Sequence, residues 1–251
     1  MRVAAFMSGK GTNIIRLLER EKALEQAPEG SPFKVIFIFS DRSDGLSEGE
    51  KIAFNEGIPY FSYDIKRFHS LKGIKRDHSS EGMAARKEFD SVASRLIKAF
   101  DIDIIALGGY MSYITVNRCI NVHPGDLSVL TDDGKRKYVG DRAVADAIAN
   151  GESFLRASTL WIDEGIDTGP LLMVSEPLKI ELPVQLAYLI KDKAYFKKIV
   201  HDHQRRLKEV GDWKIFPLTV EMIANGRFSL DENKNVYVDG KPVPKGYRPK
   251  S

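Results

Sequence analysis

Apolar runs that do not alternate constrain this chain most. Residues 3–7 read Val-Ala-Ala-Phe-Met and end in a polar, glycine-bearing turn, and residues 33–39 read Phe-Lys-Val-Ile-Phe-Ile-Phe. A strand with one wetted face alternates polar and apolar residues, whereas a strand covered on both faces stays apolar. Residues 13–20, after the first run, have helical spacing. Residues 46–56 form a second helical segment and 59–63 a short third strand. Residues 84–100 place Phe89, Val92, Leu96 and Ile97 on one side of a helix. Residues 102–107 and Cys119–His123 read as further buried strands, and 139–150 as a helix stopped at Asn150-Gly151. This alternation predicts an α/β chain with an open, mostly parallel, twisted sheet and helices on both faces.

Farther on, residues 155–162 and 170–180 read as strands, 183–210 as one long helix, and 216–225 as another. Residues 228–239 read as a small hairpin, and the tail, 240–251, is basic and rich in proline. Residues 65–82, rich in Lys, Arg, His, Ser and Gly, read as a surface loop. A length of 251 residues leads us to expect a single domain over 1–251, with an N-terminal half, 1–110, and a C-terminal half, 111–251.

A formal net charge of +3 permits a small anionic substrate but is no nucleic-acid footprint. Cys119 is the only cysteine, so no internal disulfide forms. The apolar start is too short for a signal segment, and no run reaches membrane-spanning length. We therefore expect a soluble cytoplasmic protein with no membrane or nucleic-acid partner, either monomer or homodimer.

Three stretches carry potential chemistry. Ser8-Gly9-Lys10-Gly11-Thr12-Asn13 lies between a strand and a helix, where free N–H groups favour an anion. It fails both the G-x-G-x-x-G and the P-loop patterns, and a tight turn explains it equally well. Asn121-Val122-His123-Pro124-Gly125 ends a predicted strand, with Asn121 and His123 on one face. An amide donor beside a titratable imidazole suits holding an oxyanion and moving a proton, although a hydrogen-bonded strand end explains them too. Asp163-Glu164-Gly165-Ile166-Asp167-Thr168-Gly169-Pro170 is an acidic loop between two apolar strands, and by itself it reads as a solvated turn.

Taken together and in order, these stretches resemble the folate-dependent formyltransferases. The resemblance also runs through Ala85-Arg86-Lys87-Glu88-Phe89-Asp90, residues 103–111, Phe216-Pro217-Leu218, and the ending Asp239-Gly240-Lys241-Pro242-Val243-Pro244-Lys245-Gly246-Tyr247. That ending is similar to the branch that formylates glycinamide ribonucleotide in purine biosynthesis. The resemblance implies a Rossmann-like formyltransferase fold and 10-formyltetrahydrofolate as co-substrate, with no metal. It implies Asn121, His123 and Asp167 as a catalytic trio. Gly11, Thr12, Asn13 and Arg86 would hold the substrate phosphate. Tyr110, Met111, Tyr113 and Ile114 would wall the folate pocket, with Asp163 and Glu164 on its loop and Asp212 near the acceptor. The N-terminal half would bind the ribonucleotide, and the C-terminal half the folate.

The resemblance breaks at Leu160 and Ser112, where the family often has histidine and arginine. It also breaks after Pro124, at the charged stretch 131–137, and in the long segment 65–82. Two other readings stay open. One keeps the carrier and changes the acceptor to an amino-sugar nucleotide or water. The other is a non-catalytic relative that binds folate or nucleotide. Initiator-tRNA formylation fits less well, because the residues after Pro183 do not read as an added barrel. His201 and His203 read as a solvated helix face, Cys119 as a core thiol, and Trp161 and Trp213 as packing.

Overall fold

The computed structural model describes residues 1–249; the last two residues of the basic tail lie outside them. It divides into two compact units, Met1–Asn121 and Val122–Ser251.

The first unit is built on parallel strands β1 (Arg2–Met7), β2 (Lys34–Ser40), β3 (Tyr60–Ser62), β4 (Ile104–Leu107) and β5 (Cys119–His123), which runs on past the unit boundary. Their order is β3-β2-β1-β4-β5. The helices between them are α1 (Thr12–Glu25), α2 (Gly49–Glu56), α3 (Ile65–Lys72) and α4 (Ser80–Ala99). The chain steps one way from β1 to β3 and the other way from β4 to β5. Right-handed crossovers then put α1 and α2 on one face and α3 and α4 on the other. Val3 to Met7 are all fully buried, as a doubly covered strand requires. Phe6 packs on Phe39 with ring centroids 4.7 Å apart, and Phe37 lies against Phe61 and Phe100 at 5.4 and 5.3 Å.

Segment 65–82 is a correction to the sequence reading. It holds α3 and the start of α4. Asp64 caps α3, its Oδ1 accepting from Arg67 N–H at 2.8 Å, and Gly73 closes it at φ 67°. Ser79 caps α4 by accepting from Gly82 N–H at 3.1 Å.

The second unit opens with a 3₁₀ turn, Gly140–Arg142, and α5 (Ala143–Ala149). The two predicted strands each break in two, giving β6 (Phe154–Leu155), β7 (Ser158–Trp161), β8 (Leu171–Val174) and β9 (Leu178–Lys179). β7 pairs with β8 and β6 with β9, both antiparallel. The predicted long helix is α6 (Leu186–Leu189) and α7 (Lys193–Leu207), parted where Asp192 accepts from Ala194 and Tyr195 N–H. A π-turn, Lys208–Asp212, leads into α8 (Trp213–Ala224). The predicted hairpin gains a third strand: β10 (Phe228–Leu230), β11 (Val236–Val238) and β12 (Lys241–Pro242). Ile148, Leu155, Met173, Leu207, Ile215 and Met222 share one buried cluster. No helix among the described residues is long and apolar enough to cross a membrane.

Candidate active site

In the first unit the chain leaves β1 through a tight polar turn. Gly11 closes it at φ 65°, and a Cβ there would come within 2.6 Å of Met7 Cε, so only glycine meets both demands. α1 then starts at Thr12 without a side-chain cap on its first N–H groups. Ser8 N–H donates to the Gly109 carbonyl at 3.1 Å, and Met111 N–H donates to Ser8 Oγ at 2.9 Å. These bonds tie the carboxyl ends of β1 and β4 together. Strand order reverses there, and open parallel sheets bind ligands at such a point.

Arg86 stands on α4 and is 4% exposed. Its Nε donates to Asp90 Oδ2 at 3.1 Å, and its Nη2 donates to Tyr110 Oη at 3.1 Å and lies 2.8 Å from Asp90 Oδ1. Asp90 Oδ2 also accepts from Thr115 N–H and Oγ1–H, both at 2.8 Å. Arg86 Nη1 and Asn13 Oδ1 are buried without a hydrogen-bond partner among the described residues. Polar atoms left so are costly and rare. Burial pushes the Tyr110 phenol up, against the pull of Arg86. Beyond Tyr110, Met111 is exposed, Ser112 and Ile114 are buried, and Tyr113 is half-buried. Ser112 Oγ–H donates to the buried Asp41 carboxylate, a contact the sequence did not suggest.

In the second unit His123 and Asp167 meet as expected. Nδ1 of His123 lies 3.2 Å from Asp167 Oδ2, and both side chains are buried. The other nitrogen, Nε2, bonds the Tyr138 carbonyl at 2.9 Å. Both ring nitrogens thus face acceptors, and only an imidazolium can donate to both. Gly125 is required beside them, since a Cβ there would lie 2.7 Å from both His123 Nε2 and the Tyr138 carbonyl oxygen.

Asp167 sits at φ 53°, a left-handed conformation that costs a non-glycine residue about 1–3 kcal/mol. Its surroundings hold it there. Gly140 N–H donates to Asp167 Oδ2 at 2.8 Å, and Arg136 donates to the backbone carbonyls of Asp167 and, at 2.7 Å, Gly169. Burial pulls the Arg136 guanidinium down, against the pull of Asp163 and Asp167. Asp163 turns the loop by accepting from Gly165 N–H at 3.1 Å and Thr168 Oγ1–H at 2.7 Å. Glu164 is exposed, and Asp212 is buried at the end of the π-turn before α8. Asn121 is half-buried on β5, opposite Leu107 of β4.

Sequence reasoning missed Arg136 and the Tyr138 carbonyl. Arg136 lay in the charged stretch 131–137, noted only as a break in the resemblance, and a backbone carbonyl has no residue-type signature. Leu160 packs in a cluster with Leu127, Leu171 and Val174. His203 corrects an expectation: it is 3% exposed rather than solvated, with Nδ1 bonding the Ile199 carbonyl at 2.8 Å and Nε2 accepting from Glu181 N–H at 3.2 Å. Cys119 is buried, burial pushes its thiol up, and Sγ–H donates to the Val116 carbonyl at 3.1 Å.

Comparison with known proteins matches residues 1–182 to the formyl transferase family. Phosphoribosylglycinamide formyltransferase of Haemophilus influenzae is 23% identical, covering 98% of each chain. Trifunctional purine biosynthetic protein adenosine-3 of Drosophila melanogaster is 27% identical over 68% of this chain, which spans 11% of that protein's length. Among solved structures, phosphoribosylglycinamide formyltransferase of Coxiella burnetii superposes with a TM-score of 0.68 and 24% identity, covering 99% of this chain and 98% of that one.

Proposed function

The chain belongs to the formyl transferase family, and on that premise we propose that it moves the formyl group of 10-formyltetrahydrofolate to the amine of glycinamide ribonucleotide. The full-length relatives that carry this activity in their names support the acceptor. The observation that carries the chemistry is the buried imidazole of His123 set between the Asp167 carboxylate and the Tyr138 carbonyl.

In this reading the substrate amine attacks the formyl carbon. The carbon–nitrogen bond to the carrier breaks after a tetrahedral intermediate forms, and the carrier nitrogen leaves with a proton. The carbonyl oxygen becomes an oxyanion in between. Asn121 donates to it from β5. His123 donates from Nε2, exchanging the neutral Tyr138 carbonyl for a charged acceptor, which makes the stronger bond. Asp167 holds Nδ1 and balances the imidazolium charge. It also helps carry off the proton that the amine loses. Each oxyanion donor is worth about 3–4 kcal/mol in the transition state.

Gly11, Thr12 and Asn13 offer the phosphate the start of α1, and Arg86 offers Nη1, which is buried and has no hydrogen-bond partner among the described residues. Tyr110, Met111, Tyr113 and Ile114 wall the folate, Asp163 and Glu164 lie on its loop, and Asp212 meets the acceptor.

The test mixes the protein with glycinamide ribonucleotide and 10-formyltetrahydrofolate and follows carrier loss. Turnover that vanishes in His123→Ala and Asp167→Asn supports the proposal. Carrier loss at the same rate without the ribonucleotide overturns it in favour of hydrolysis.

A further inference from the structure

Residues 138–140 touch both members of the His123–Asp167 pair through the backbone. The Tyr138 carbonyl faces His123 Nε2 at 2.9 Å, and Gly140 N–H donates to Asp167 Oδ2 at 2.8 Å. Just before them, Lys137 N–H donates to the Val129 carbonyl at 3.0 Å, and Gly140 turns the chain at φ 69°. Between those two points the direction of the Tyr138 carbonyl follows the ring that anchors its residue.

That ring is 2% exposed and packs with Ala143 and Ala147 of α5. Packing covers only part of it. A cavity of about 350 Å³ lies beside the ring, bounded also by Gly125, Ala143, Ala147 and Glu152. Protein interiors are close-packed, so a ring next to such a void has room to shift. A polar bond holds it instead: Tyr138 Oη–H donates to Glu152 Oε1. Burial and the Glu152 carboxylate push the phenol up, which keeps it a donor.

Lys137 closes on the same anchor. Its Nζ lies 3.4 Å from Glu152 Oε1 and 5.1 Å from the centre of the Tyr138 ring. Glu152 is itself fixed, because its N–H donates to the Ala147 carbonyl at 3.1 Å, near the end of α5.

We propose that Glu152 is a positioning residue. Through the Tyr138 phenol it aims the Tyr138 carbonyl at His123 Nε2. It thereby fixes the plane of the imidazole, so that Nε2 points where the oxyanion forms and Nδ1 stays on Asp167. The proposal rests on the proposed function for the step that His123 serves, and on geometry alone for the placement of the ring. Misplaced donors cost rate more than binding, so the effect belongs to kcat.

The experiment compares the unmodified protein with Tyr138→Phe, Glu152→Ala and the double variant, in steady-state turnover and in nitrogen-15 spectra of labelled histidine. His123 signals are identified by their absence in His123→Ala. Tyr138→Phe keeps the packed ring and removes only the hydroxyl. Each single variant is expected to lower kcat about tenfold with both KM values unchanged, roughly the worth of one hydrogen bond. The double variant falls no further than either single one, because both remove the same bond. The His123 Nε2 signal moves in all three. A kcat within about twofold of the unmodified protein overturns the proposal. So does a fall in kcat with the Nε2 signal unmoved, which marks a merely structural role. Absence of turnover in the unmodified protein overturns the proposed function instead. The spectra then decide the placement alone: a moved Nε2 signal supports it and an unmoved one overturns it.

Discussion

His123 is defined by its neighbours more than by its identity. A carboxylate faces one ring nitrogen and a backbone carbonyl the other. Asp167→Asn removes the charge and keeps the shape, so kcat is expected to fall about 10²–10⁴-fold while circular dichroism stays unchanged. Asn121→Ala removes one oxyanion donor, and a fall in kcat of about 10²–10³-fold is expected in the same assay. Gly125→Ala forces a methyl between His123 Nε2 and the Tyr138 carbonyl and is expected to lower kcat at least about tenfold. Arg136→Lys is expected to behave like Arg136→Ala in kcat, because an ammonium cannot span the Asp167 and Gly169 carbonyls as a guanidinium fork does. At this scale the sequence pointed to the candidate side chains but not to those that place them. Asn121, His123 and Asp167 stood in motifs, whereas Arg136 looked like one more charge in a polar stretch.

Elements were legible where burial made them periodic. β1, β2 and β4 announced themselves because both of their faces are covered. α3 did not, since it buries only Ile65, Phe68 and His69 over eight residues. Its true signals were local: Asp64 before it and Gly73 after it. The same blindness merged α6 and α7, because the apolar spacing ran on through Asp192, whose carboxylate begins a new helix.

Asp64 permits a test. Burial alone would raise its carboxyl, but the N–H groups of Arg67 and Ser43 and the Ser43 hydroxyl outweigh that and hold it low. A carboxyl lowered on folding stabilises fully above its unfolded pKa, about 3.9, and that stability is lost as pH falls through the lower folded value. Asp64→Ala is therefore expected to lower unfolding free energy by about 1 kcal/mol at pH 7, and by progressively less below pH ~4, as read from urea melts.

For the molecule as a whole, strand–helix alternation was enough to predict the parallel sheet of the first unit. The second unit was harder, because its short strands pair antiparallel and break where the chain turns. Where the resemblance led us to expect a histidine and an arginine, Leu160 packs in a core cluster and Ser112 bonds the buried Asp41. The central claim is direct transfer of the formyl group to an amine. A single turnover with carrier labelled with carbon-13 at the formyl group tests it most directly. The account predicts that the label appears in formylated glycinamide ribonucleotide, one per carrier consumed, and that none is transferred in His123→Ala. Label recovered as free formate, at a rate indifferent to the ribonucleotide, would contradict it.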